Sequence, residues 1–125
     1  MKFSRREFDK VVQRAIRRIP EEIRDHLENI LISVQDRASA DLLEEMGLPP
    51  DYPLLGVYTG ASLMERSSFY MPPLYPDTIF IFQKPLEEMC RTVEELEEQI
   101  EITVVHEVAH YLGMTEEEIA DLGYE

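Results

Sequence analysis

The stretch ITVVHEVAHYL, residues 102–112, most constrains what this chain can fold into. Upstream of it, Thr92-Val93-Glu94-Glu95 has the form of a capping box, a hydroxyl followed three residues later by a glutamate. A helix is expected to start there and to run to about Leu112. Its first turns are acidic, which suits the positive end of the helix dipole. Its later turns are apolar on nearly every side, and such a helix belongs at the centre of a fold. Yet the same turns carry His106, Glu107 and His110. Polar groups in an apolar setting cost free energy unless they have partners. Three of them together point to a shared task.

Helical geometry says what that task requires. Residues i and i+4 share a face and sit about 6 Å apart along the axis. Two imidazoles so placed can converge on one tetrahedral ion, and zinc is the expected one. Glu107 is turned roughly 100° from His106, beside the ion and within reach of a water rather than of the metal. A catalytic zinc usually takes three protein ligands plus water, so a third ligand has to come from downstream. On a continued helix Glu116 would lie about 15 Å along the axis from His106, far out of reach. Gly113 lets the chain turn back, because glycine tolerates the left-handed conformation that ends helices. Thr115-Glu116-Glu117-Glu118 is then a second capping box, and Glu116 becomes the first residue of a new short helix beside the turn. Glu116 is the expected third ligand, with Glu117 as its rival and Asp121 as an outsider. The ordinary alternatives are that acids in a first turn only offset the helix dipole, and that an HExxH spacing arises by chance in a helix without metal.

The remaining segments read as elements of one domain over residues 1–125. Phe8, Val11, Val12, Ala15, Ile16 and Ile19 follow helical spacing, with arginines on the other face, up to Pro20. Pro20-Glu21-Glu22 opens a short second helix. Residues 29–36 read as a strand with Ile30, Ile32 and Val34 on one face, and a helix over about 38–46 is stopped by Gly47. Residues 54–60 predict a short strand. Residues 78–83, TIFIFQ, predict a strand buried on both faces. Between them, residues 61–77 carry three prolines and no helical period. A loop that long in a small domain is functional or mobile. Residues 85–91 predict a short helical turn.

The net charge of −14 argues against a nucleic-acid binder, since phosphates would be repelled by most of the surface. Residues 1–19 are the exception, with seven Lys and Arg against Glu7 and Asp9. The simplest reading is a basic helix docked on an acidic body; the sharper one is an arm for an anionic lipid surface or an acidic partner. No stretch is apolar and long enough to span a bilayer, and the N-terminal residues lack the apolar region of a secretory signal. Cys90 is the only cysteine, so no internal disulfide can form, which fits a reducing, cytoplasmic setting. Cys90 is expected in the core, His26 on the surface, and the six methionines in core and loops.

HEVAHYLGMTEEE, residues 106–118, resembles the HExxHxxGxx(D/E) motif of the zincin metallopeptidases. More closely, the chain looks like the small bacterial family of minimal zincin-like zinc peptidases. The likeness extends through LLGVYTGASLMERS (54–67), PDTIFIFQKPLE (76–87) and TEEEIADLGYE (115–125). It implies an α+β fold in which a small mixed sheet packs against a backing helix and an active-site helix. It also implies His106, His110 and Glu116 as zinc ligands, Glu107 as general base, and a peptide or protein as substrate. The family more often has aspartate at the third ligand position; Glu116 is one methylene longer and needs a slightly different turn. Only nine residues follow Glu116, which leaves no room for the methionine turn of the metzincins, and the cleft is expected to be shallow and open. Substrate could lie as an added strand along a sheet edge. Arg66, Tyr58 and Tyr124 are candidate oxyanion donors, each with a surface or packing role as the plainer alternative. The rival reading is a metal-stabilised interaction module without hydrolysis. The oligomeric state is not encoded legibly.

Overall fold

The computed structural model describes residues 1–60 and 77–124. Of the predicted long loop, only Asp77 is among them, and Arg66 lies outside the described residues.

Helix α1 (Arg5–Arg18) starts at a reciprocal capping box: the Ser4 hydroxyl accepts from the Glu7 N–H, and the Glu7 carboxylate accepts from the Ser4 N–H. Its period brings Phe8, Val11, Val12 and Ala15 to the buried side. After Pro20, α2 (Glu21–Arg24) and a 3-10 turn (Asp25–Leu27) add Ile23 and Leu27 to the core. Strand β1 (Leu31–Gln35) leads to α3 (Ala40–Glu45), which ends at Gly47 with φ 73°. Strands β2 (Gly56–Thr59) and β3 (Thr78–Phe82) follow, then α4 (Gln83–Met89), α5 (Val93–Tyr111) and α6 (Glu116–Asp121).

The sheet has the order β1-β3-β2, with β3 parallel to β1 and antiparallel to β2. The nearly continuous apolar run of β3 suits this central place, and Ile79 and Ile81 are fully buried in it. One core joins Phe8 and Val12 of α1, these two isoleucines, and Ile119 of α6 to α5. From α5 it takes Leu96, Ile100, Val104 and Val108, a spacing of four that keeps them on one face. Helix α5 packs against α1, β2 and β3. The small mixed sheet with a backing helix and a central motif helix is the α+β arrangement expected.

Three local details refine the sequence reading. At the start of α5 the Thr92 hydroxyl accepts from the Glu95 N–H, the hydroxyl half of the expected box. Helix α4 begins at Gln83, two residues before the expected start, because Gln83 and Glu87 tie down the N-terminal segment. The Gln83 side-chain amide donates to the Phe3 carbonyl and to Glu87, and the Phe3 N–H donates to Glu87. Both side chains are buried but satisfied, the condition under which burial is tolerated. Finally, Arg14 pairs with Glu97, and Arg18 with Glu97 and Glu101, so part of the basic face of α1 lies against the acidic half of α5. Among the described residues no helix is long and apolar enough to cross a membrane.

Candidate metal centre

The end of α5 folds back as Gly113 predicts. Gly113 has φ 77°, and its N–H donates to the His110 carbonyl while the Met114 N–H donates to the Ala109 carbonyl. This is a Schellman closure, which satisfies the last carbonyls of the helix and reverses the chain. Thr115 then caps α6 with the full box: its hydroxyl accepts from the Glu118 N–H, and the Glu118 carboxylate accepts from the Thr115 N–H. Ile119, three residues after Glu116, is fully buried. Residues three apart share a helix face, so the anchor that draws Ile119 inward also turns Glu116 toward α5. Glu118 is taken by the cap. Of these adjacent acids it is Glu116 that comes near His110.

One possible ligand atom from each of His106, His110 and Glu116 lies within 4.8 Å of the other two. His110 Nε2 and Glu116 Oε1 are 3.1 Å apart. The two imidazole rings are 6.2 Å apart, centre to centre, and nearly perpendicular at 82°. Among the described residues His106 Nε2 is buried without a hydrogen-bond partner. An orphaned buried nitrogen is costly in a protein interior, and a cation shared with His110 and Glu116 would satisfy it. Two imidazoles and a carboxylate suit zinc, whose ligand bonds of about 2.0–2.2 Å place its ligands roughly 3.3 Å apart. His110 and Glu116 are exposed, so their side chains have the freedom to close the small remaining gap. Glu117 and Asp121 are not part of this cluster.

Glu107 stands outside the cluster and beside it. Its Oε1 accepts from the backbone N–H of Tyr58 at 2.9 Å. Burial pushes its carboxyl above the usual carboxylate range, opposed by the Tyr58 N–H and by the two neighbouring histidines. Residues 103, 107 and 111 form one stripe of α5, and β2 meets all three. Gly56 lies against Thr103, the Tyr58 N–H holds Glu107, and the Tyr58 ring stacks on Tyr111 at 4.6 Å. The Tyr58 hydroxyl donates to buried Asp77 at 2.6 Å, and burial together with that bond raises its pKa far above the ordinary phenol value. Tyr124 donates to Glu101 at 2.6 Å in the core. Both phenols are thus engaged in packing contacts. The contribution of Tyr58 that sequence reasoning missed is its backbone N–H, which no side-chain pattern announces; the glycine two residues earlier is the local sign of a close approach.

The chain as a whole matches a described family. A model of the zincin-like metallopeptidase family fits residues 27–124. The chain belongs to that family. Among solved structures, this zincin-like chain is similar to a conserved hypothetical protein from Thermo thermophilus, with a TM-score of 0.53 and 17% identity over 98% of this chain and 100% of the other. At that identity the likeness bears on the fold alone. No curated protein matches the chain.

Proposed function

We propose that this zincin-like protein is a zinc-dependent peptidase in which His106, His110 and Glu116 hold the ion and Glu107 is the general base. The observation that carries the reading is the buried, unpartnered His106 Nε2 beside His110 and Glu116. Family membership supports the reaction class. A bound zinc would lower the pKa of a water toward about 7 and polarise the scissile carbonyl. The chain's own part is proton transfer. Glu107 takes a proton from the attacking water as the water oxygen bonds to the carbonyl carbon, and it returns the proton to the leaving amine as the C–N bond breaks. The Tyr58 N–H fixes one carboxylate oxygen and leaves the other for this work. The upward push on the Glu107 pKa is in the direction that suits a base operating near neutral pH.

The test is Glu107→Gln in protein made without added metal or a histidine tag. Elemental analysis should find zinc retained, while cleavage of unstructured peptides falls by about 100- to 10,000-fold. Cleavage at the wild-type rate in this variant would refute the role of Glu107. Absence of zinc from the wild-type protein would refute the metal assignment.

A further inference from the structure

Helices α1 and α5 lie side by side and run in the same direction, because Arg14 reaches Glu97 and Arg18, one turn on, reaches Glu97 and Glu101. These ion pairs form a seam that neutralises itself, and a row of charge remains on each side of it. At roughly 100° per residue, Arg6, Lys10 and Arg17 of α1 fall within about 40° of one another, on the side of Arg14 away from the buried Val11 and Ala15. By the same measure Glu94 and Glu98 of α5 are about 40° apart, on the side of Glu97 away from the buried Ile100. All five are exposed, and among the described residues none of them is in an ion pair. The outer face of this helix pair is therefore striped, with cations on α1, a neutral seam, and anions on α5. The seam also sets the heights of the charges. Lys10 precedes Arg14 by about 6 Å along the axis and Glu94 precedes Glu97 by about 4.5 Å, while Arg17 and Glu98 follow by about 4.5 and 1.5 Å. Each of these two cations thus stands within about 3 Å of the height of one acid.

We propose that this striped face binds a second copy of the chain about a two-fold axis parallel to the two helices. A two-fold so placed exchanges the stripes across the contact and keeps their heights. It sets Lys10 of each copy against Glu94 of the other, and Arg17 against Glu98, a self-complementary contact. A two-fold perpendicular to the helices would lay like rows on each other and is excluded by repulsion. The stripes also choose between partners. An anionic lipid surface or a nucleic acid presents one sign of charge, so it would attract Arg6, Lys10 and Arg17 and repel Glu94 and Glu98 beside them. The chain's own face carries the alternation that fits. The net charge of −14 opposes association in general. At physiological salt that repulsion is screened beyond about 8 Å, while the rows meet at contact. Exposed ion pairs are individually worth little, so the pairing is weak and reversible. His106 lies roughly 180° round α5 from Glu97, so the candidate metal centre points away from the contact, and the inference does not depend on the peptidase reading.

Sedimentation equilibrium of the full chain at physiological salt should show monomer and dimer in exchange. Two variants reverse one row each: Lys10→Glu with Arg17→Glu, and Glu94→Lys with Glu98→Lys. Each should weaken self-association by about tenfold or more, because every cross-contact of the symmetric pair becomes repulsive. Lys10→Ala with Arg17→Ala, a milder change at the same exposed positions, should weaken it less. Helical circular dichroism checks that each variant folds. The critical measurement is a mixture of the two reversed variants. One then carries two acidic rows and the other two basic rows, so they should pair with each other at about the wild-type strength. Both remain net negative, so general attraction between the chains cannot produce that result. A wild type that stays monomeric up to about 1 mM overturns the proposal. So does a dimer that none of the variants weakens, or a mixture of the reversed variants that stays monomeric. A monomeric wild type that floats with vesicles of phosphatidylcholine and phosphatidylserine would overturn the second copy and assign the basic row to a membrane.

Discussion

Gly56→Ala probes the contact that positions Glu107. The φ of Gly56 lies outside the left-handed region, so alanine can adopt its backbone conformation. Space is the obstacle. An added Cβ would lie 2.7 Å from Thr103 Cγ2 and 3.0 Å from the Phe80 carbonyl oxygen. Carbon atoms rest at about 3.5–4.0 Å, so β2 must retreat from α5 by roughly 1 Å. Overpacking of this kind costs about 1–3 kcal/mol, and the stiffer unfolded chain returns about 0.4–1 kcal/mol, leaving a net loss of about 1–2 kcal/mol. The midpoint of a urea titration followed by circular dichroism should fall by about 0.5–1 M. The same retreat stretches the 2.9 Å bond from the Tyr58 N–H to Glu107 out of hydrogen-bonding range, so the Tyr58 amide should exchange faster. Thr103→Ser removes the offending methyl and keeps the hydroxyl that donates to the Gln99 carbonyl at 2.7 Å. In the Gly56→Ala background it should recover part of the loss, a favourable coupling between neighbours. Only part returns, because the Phe80 oxygen still opposes the Cβ. A Gly56→Ala protein as stable as wild type with the Tyr58 amide still protected, or strictly additive effects of the two changes, would refute the reasoning.

Zinc should raise the unfolding free energy by about 2.7 kcal/mol at a hundred times its dissociation constant, and a chelator should reverse the gain; an unfolding curve indifferent to zinc sinks the centre. Loss of a group that merely orients a ligand weakens metal binding by about 10- to 100-fold. Glu116→Ala should exceed that in competition with a chromogenic chelator while Glu117→Ala changes nothing, and the reverse order would reassign the third ligand. Tyr58 and Tyr124 have raised pKa values through burial and their bonds to Asp77 and Glu101. A raised folded-state pKa means that their contribution to stability is complete below the ordinary phenol value of about 10 and is lost as the pH rises beyond it. Phenolate absorbance from these two should therefore appear only with the loss of helical circular dichroism, and full ionisation in a still-folded chain would contradict their burial.

Local sequence carried the helices well, since the period of α1 and the two glycine stops at Gly47 and Gly113 are written in a few adjacent residues. It also marked β3 as buried on both faces, because a nearly continuous apolar run has no face to give to water, and the central place of β3 agrees with that. Strand order and direction were not legible: nothing within residues 31–35 says that β1 pairs with β3 in parallel. The early start of α4 depends on Phe3, which is 80 residues from Gln83 and invisible to any local pattern. At the site, the approach of His106 to His110, with Glu107 turned aside, follows from helical spacing alone. Which of Glu116 and Glu117 comes near His110 depends on which way α6 faces, and the burial of Ile119 sets that facing. The N–H that holds Glu107 belongs to a backbone, and every residue but proline has one.

That last contact also explains why the edge strand and the motif helix fit each other. Two residues of a strand advance about 6.6 Å, and four residues of a helix about 6 Å. Positions 56 and 58 of β2 therefore keep step with 103 and 107 of α5, and the Tyr58 ring then reaches Tyr111. The match holds for one register only. A slip of β2 by a single residue would turn its side chains to the opposite face, press a branched side chain against Thr103 where glycine now sits, and take the N–H away from Glu107. The register is set elsewhere, by the pairing of Tyr58 with Ile79 and of Gly56 with Ile81. Ile79 and Ile81 are locked in the core. The orientation of Glu107 is thus determined from the interior outward, through β3 to β2 and across to α5. Substitutions that loosen β3 should impair the site before they unfold the chain.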